Sequence, residues 1–216
     1  MAPRRKETEI GIAIHKLAKL LLDTSGEISI PLSKDDWVIP PAYFINLQQF
    51  IVKEVPKLKS LVGPDSMLFP ETQIRLDEDW TPTFGWPNGF IVGALDLAIY
   101  DPNTKTCVIV DYKTGNTSEE DLIKYYKPQL ELYSLLFHLG HAPVEKIGLI
   151  IRAGHSSQSL WLTDGLEDFD LSLPMGALRE NITKAHENLK VITPTPHFMC
   201  KYCAFRIMCT SYKEDE

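Results

Sequence analysis

The chain has 216 residues, 44% of them hydrophobic, and a formal net charge of −7. That length suits a single domain, 1–216, with a sizeable core. The negative balance excludes a uniformly basic nucleic-acid coat, while a local basic groove, or carboxylates gathered around metal ions, remains compatible with it. No apolar run is long enough to span a bilayer, and the opening MAPRRKETEIG carries no signal-peptide apolar segment. No G-x-x-x-x-G-K-[ST] loop is present, so no nucleotide-driven motor is expected. Three of the four cysteines fall between 200 and 209, which is not a disulfide framework; a cytoplasmic protein is expected.

In chain order, TEIGIAIHKLAKLLLD (8–23) has apolar residues at helical spacing, with Thr8 as its N-cap. Residues 27–70 read as a helical insertion: a Pro-rich elbow at Ile39-Pro40-Pro41, then a helix over about 42–60 that Pro56 kinks or ends. ETQIRL, GFIVGALDLAIY and TCVIVDYKT then read as strands. A helix is predicted over 118–139, with Thr117 and Glu120 spaced like a capping box, Pro128 inside it and Gly140 after its end. KIGLIIR and QSLWLT read as further strands, 174–190 as a helix, and 194–216 as a Cys-rich tail. Strands flanked by helices, with one evident hairpin, predict an α/β fold with a mixed central sheet.

The hairpin raises a chemical question. Its turn is Asp101-Pro-Asn-Thr-Lys-Thr106, and a tip at Asn103 and Thr104 sets Asp96 opposite Asp111. In that register the two β-carbons lie about 5 Å apart, and Lys113, two residues on from Asp111, shares its face. Like charges opposite one another are destabilising, and a carboxylate within an apolar strand is costly unless something cationic compensates it. Two readings meet that requirement. One is a buried Asp-Asp-Lys cluster satisfied by backbone groups; the other is a divalent cation held by both carboxylates, whose oxygens suit Mg²⁺ or Mn²⁺.

GALD at 93–96, DYKTG at 111–115 and QLELY at 129–133 resemble the RecB-like branch of the PD-(D/E)XK nucleases, which includes the CRISPR-associated RecB-like exonucleases. Gly11-Ile-Ala-Ile-His15 is similar to that family's helical G-x-x-x-H motif, and Glu71 falls where a further acidic residue precedes the hairpin. The resemblance implies a restriction-endonuclease-like core and a metal held by His15, Asp96, Asp111 and the backbone carbonyl of Tyr112. An imidazole ligand favours Mn²⁺ over Mg²⁺. It further implies that Lys113 orients the attacking water and offsets charge on the phosphate. Gln129 and Tyr133, at i and i+4, would face the site, and Glu71 would assist a second metal or position water. Taken alone, His15 on an apolar helix reads as a satisfied core histidine rather than a ligand. Lys124, Tyr125, Tyr126 and Lys127 read either as strand contacts or as a solvated face.

The tail places His197, Cys200, Cys203 and Cys209 within thirteen residues. The C-x2-C-x5-C part is similar to the C-terminal portion of the iron-sulfur site in several RecB-like nucleases. Those sites take a fourth cysteine from far upstream, and here no cysteine precedes Cys107, which sits in a core strand. His197 would complete a Cys3His zinc site; the alternatives are a cluster or metal-free packing.

The resemblance thus implies a Mg²⁺- or Mn²⁺-dependent deoxyribonuclease, an exonuclease on DNA ends serving recombination, repair or replication. The setting expected is a prokaryotic cell or a virus-infected host cell, with a recombination or replication protein as a possible partner. A structure-specific endonuclease of the same fold, an enzyme acting on RNA, and a non-catalytic DNA- or partner-binding module are the alternatives.

Overall fold

The structure is a computed structural model. It describes residues 3–23, 39–77, 79–83, 91–114, 117–154, 156, 158–172 and 175–176, with side chains of the first helix from Glu9 onward. By contacts the chain divides into Met1–Leu171 and Ser172–Glu216. The predicted 174–190 helix (apart from residues 175–176) and the whole Cys-rich tail lie outside the described residues. So do Gly89 and Phe90, at the start of the predicted second strand.

Helix α1 spans Pro3–Asp23. It starts five residues before the expected Thr8 cap because Pro3 is pre-set for a first helical turn and Arg4 to Glu7 are good helix formers. Its buried stripe is Ile14, Leu17, Ala18 and Leu21. Helix α2 (Pro41–Gln49) and helix α3 (Val55–Val62) flank a π-turn over Phe50–Glu54. Pro56 has no N–H to give to the preceding turn, and the helix widens ahead of it rather than ending. Pro56 thus does not end the helix: the irregularity it brings is a widened turn between α2 and α3.

A mixed sheet follows: β1 (Met67–Leu76), β2 (Ile91–Asp101), β3 (Thr106–Lys113), β4 (Lys146–Ala153), and the short β5 (Leu160–Trp161) and β6 (Glu167–Asp168). The order is β1-β2-β3-β4-β5, with β6 also on β4; β3 and β4 are parallel and the other pairings antiparallel. The crossover between the parallel strands is helix α4, Glu119–Gly140. Its N-cap is Ser118, whose Oγ accepts the Asp121 N–H at 3.2 Å, so the cap sits one residue later than the Thr117–Glu120 pair predicts. Gly140 is its last helical residue, and Pro128 is accommodated inside it. Of the predicted strand QSLWLT, Leu160–Trp161 forms.

The sheet separates two apolar layers. Leu97, Ile99, Val108, Val110 and Tyr112 pack with α1, α2 and α3. Ala98, Tyr100, Cys107, Ile109, Leu149 and Ile151 pack with α4. Helix α2 fastens the far ends of β3 and β4. The Tyr43 hydroxyl donates to the Thr114 carbonyl at 2.7 Å, Asn46 Nδ2 donates to the Gly154 carbonyl at 3.0 Å, and Arg152 Nη2 donates to the Asn46 carbonyl at 2.9 Å. A β-carbon on Gly154 would run into the Tyr43 ring, so this close approach requires glycine.

Leu97 is fully buried at the centre of the first layer. Leu97→Ala is expected to cost about 3 kcal/mol, from lost transfer free energy plus the residual cavity, and to lower Tm by roughly 6–12 °C in a scanning melt. A loss below about 1 kcal/mol would contradict its place in the core.

Candidate active site

The predicted hairpin register is the observed one: Leu97 pairs with Val110, Ala98 with Ile109 and Ile99 with Val108. At the next step the main-chain ladder is interrupted. Asp96 Oδ2 accepts the Tyr112 N–H at 2.7 Å, so a side-chain oxygen occupies the place of a backbone acceptor.

A matching irregularity lies on the other edge of β2. Pro70 pairs with Leu97 and Thr72 with Leu95, but the intervening Glu71, opposite Asp96, has a left-handed backbone at φ 48°. Few residues other than glycine adopt that conformation, and where they do it often marks a functional position. The face alternation reverses here in both strands. On β1, Phe69 packs on the α4 side, and beyond Glu71 so do Ile74 and Leu76. On β2, Ala98 and Tyr100 face α4, and before Asp96 so do Leu95 and Gly93. Strict alternation would put Leu95 and Gly93 on the other side.

The break turns the two carboxylates toward α1. His15 Nδ1 is 3.1 Å from Asp96 Oδ1 and 3.2 Å from Glu71 Oε1. One ligand atom from each of His15, Glu71 and Asp96 lies within 4.8 Å of the other two. The His15 ring also meets the Tyr112 ring edge-on at 6.0 Å. Asp111 stands outside that trio. Its Oδ2 is 2.6 Å from Lys113 Nζ and has no further hydrogen-bond partner, although the residue is only 2% exposed. Lys113 Nζ also lies 3.5 Å from Gln129 Oε1 and 4.4 Å above the Tyr126 ring, and Gln129 Nε2 donates to the Tyr133 hydroxyl at 2.7 Å.

The structure therefore gathers the predicted residues into two adjoining groups. His15, Glu71 and Asp96 meet beside α1; Asp111, Lys113, Gln129 and Tyr133 meet beside α4. Tyr112 links them through its N–H. The tail residues His197, Cys200, Cys203 and Cys209 lie outside the described residues. The Tyr126 contact with Lys113 had no sequence signal beyond its place one turn before Gln129.

Ionisation follows from this packing. The hydrogen bond that His15 donates to Asp96 is the strongest influence on its imidazole, and with the charges of Asp96 and Glu71 it outweighs burial and raises the pKa to about 9. Burial pushes Glu71 above the usual carboxylate range, against the attraction of His15. Burial, then repulsion from Asp96, pushes Asp111 up to about 6 against the attraction of Lys113 and His15. Without a cation the trio thus holds itself together with a protonated imidazole. One nitrogen and two carboxylate oxygens within 4.8 Å fit a divalent cation, with Mn²⁺ the better match to the nitrogen.

The metal-free protein should show the sign of this linkage. The His15 pKa is raised from 6.5 to about 9, so its contribution to stability is complete below pH 6.5 and lost as pH rises through 9. His15→Ala should flatten that part of the stability profile. A cation requires the neutral imidazole, so its binding should release about one proton at pH 7.5, and Mn²⁺ affinity should climb toward tenfold per pH unit between 7 and 8.5. Titration calorimetry in buffers of different ionisation enthalpy measures both. A pH-independent affinity would remove His15 from the ligand set.

Residues 57–210 match the PD-(D/E)XK nuclease superfamily. That span includes Glu71, Asp96, Asp111, Lys113, Gln129 and Tyr133, and leaves His15 outside it. No curated protein sequence matches the chain. Among solved structures it aligns with the crystal structure of SSO0001 at 18% identity, over 91% of this chain and 84% of that one, with a TM-score of 0.40. With more than half of its length matched and a mixed sheet that carries the carboxylates and the lysine of the motif, the chain belongs to the PD-(D/E)XK nuclease superfamily.

Proposed function

We propose that the chain is a metal-dependent deoxyribonuclease of the RecB-like branch, a single domain acting in the cytoplasm as an exonuclease on DNA ends. The observation that carries this reading is the His15–Glu71–Asp96 trio set against the Asp111–Lys113 pair. His15, Asp96, Asp111 and the Tyr112 carbonyl, with Glu71 beside them, would hold Mn²⁺ or Mg²⁺. Such an ion supplies Lewis acidity toward the phosphate and lowers the pKa of a bound water.

The chain's own residues do the positioning. Lys113 is held by Asp111, Gln129 and the Tyr126 ring, so its ammonium is fixed where charge builds on the phosphate oxygens as water adds to phosphorus. The P–O bond to the leaving nucleotide then breaks, and the leaving oxygen takes a proton. Tyr133 fixes Gln129, and through it the lysine. Recombination, repair or replication of DNA is the process this chemistry serves, with a recombination or replication protein as partner. In the same reading His197, Cys200, Cys203 and Cys209 hold zinc as a staple on the tail, and elemental analysis separates zinc from iron and from no metal.

The test uses end-labelled linear and circular DNA, single- and double-stranded, with an RNA arm, in Mg²⁺ or Mn²⁺. An exonuclease degrades the linear forms and leaves closed circles intact; cleavage of circles points to an endonuclease instead. Asp111→Asn should lower cleavage by at least about 100-fold. Its metal-free Tm should hold or rise, because a buried charge facing Asp96 is removed. Unchanged cleavage by a folded Asp111→Asn protein would overturn the assignment.

A further inference from the structure

An open cavity of about 810 Å³ lies beside the Glu71 kink, and its walls include Ile12, His15, Lys16, Lys19, Glu71 and Thr114. Ile12, Lys16 and Lys19 stand at i, i+4 and i+7 of α1, beside the buried stripe and on the same side as His15. Between Glu9 and Asp23 the helix carries no acidic residue, in a chain whose net charge is −7. Among the described residues neither lysine has an ion-pair or hydrogen-bond partner. Lys19 is nonetheless close enough for its charge to act on Glu71. Ile12, beside them, is 53% exposed. Two uncommitted cations and a bare apolar side chain thus line one cavity that runs to the edge of the carboxylate–histidine trio.

The ligand this suits carries successive negative charges with an apolar body beside them. The volume is that of a small-ligand pocket, enough for one or two nucleotides. A duplex presents a convex surface with its bases turned inward, whereas an unpaired strand can set phosphates against cations and a sugar or base against an apolar wall. The β-carbons of residues three apart on a helix lie about 5–6 Å from each other, and flexible lysine stems can bring the two ammonium groups to neighbouring phosphates.

We propose that this cavity holds the single-stranded segment of DNA next to the cleavage position, with Lys16 and Lys19 on consecutive phosphates and Ile12 against the sugar or base that flanks the Lys16 phosphate on the side away from Lys19. This rests on the nuclease reading above and specifies the form of substrate that the site receives.

The experiment measures binding by fluorescence anisotropy of labelled single- and double-stranded oligonucleotides between 50 and 200 mM salt. It is run in the Asp111→Asn background so that no cleavage intervenes. The single strand should bind more tightly than the duplex. Lys16→Gln with Lys19→Gln should weaken single-strand binding by about tenfold or more and flatten the slope of log affinity against log salt by about 1.4, close to 0.7 for each lost contact. Lys16→Arg with Lys19→Arg should retain the slope. Wild-type affinity and slope in the double glutamine variant, or tighter binding of duplex than of single strand, would overturn the proposal. The two readings separate cleanly. Cleavage by the wild type with binding indifferent to the lysines removes the cavity assignment alone, whereas lysine-dependent strand binding without cleavage under any metal removes the nuclease assignment alone.

Discussion

The site depends on one exchange in a hydrogen-bond ladder: Asp96 takes the Tyr112 N–H with a side-chain oxygen. That bond spends one carboxylate oxygen on the sheet and leaves the other for His15. It also ties the aspartate to the backbone between Asp111 and Lys113, so the two halves of the site share one rigid reference. The left-handed turn at Glu71 complements it from β1. A continuous β1–β2 ladder, carried on from Phe69 and Ala98, would turn both Glu71 and Asp96 to the α4 face of the sheet, away from α1, and the His15 imidazole would have no pair of acceptors to bridge.

Electrostatics explains why such a cluster tolerates burial. Asp96 and Asp111 are both nearly inaccessible, and carboxylates there are costly unless compensated. Compensation is divided: His15 serves Asp96 and Glu71, and Lys113 serves Asp111. The division is unequal. Lys113 is the one partner of the buried Asp111 Oδ2 among the described residues, and burial with the nearby charge of Asp96 still holds the carboxyl above its usual range. A site with an unmet demand for positive charge is prepared to accept more of it.

Much of this arrangement could be read from residue order. The hairpin register follows from the length of the Asp101–Thr106 turn, and the alternation of TCVIVDYK fixes Asp111 and Lys113 on one side. The helix faces follow from apolar spacing. Backbone irregularities were less legible. Nothing in FPETQ marks Glu71 as left-handed, because any non-glycine residue can be forced there when its surroundings outweigh a cost of about 1–3 kcal/mol. The α4 cap falls one residue later than the capping-box spacing predicts because Thr117 and Ser118 are both competent caps; the backbone decides between them. Glu71 stands out in the sequence by its position before the hairpin, but its partnership with His15 links residues 56 apart and depends on the fold.

The π-turn ahead of Pro56 has a consequence for how α2 is aimed. It stores one residue more than an α-helical path would place along the same stretch. Winding the same residues as a regular α-helix would spread that extra residue along the axis, rotating α2 by about 100° and pushing it out by about 1.5 Å relative to α3. Tyr43 would leave the Thr114 carbonyl, Asn46 would leave Gly154, and the guanidinium of Arg152 would lose its acceptor. The widened turn thus works as a phase setting: it takes up one residue so that the helix keeps the angle at which the open ends of β3 and β4 are clasped, and the same residues wound regularly would read every contact on that helix out of step.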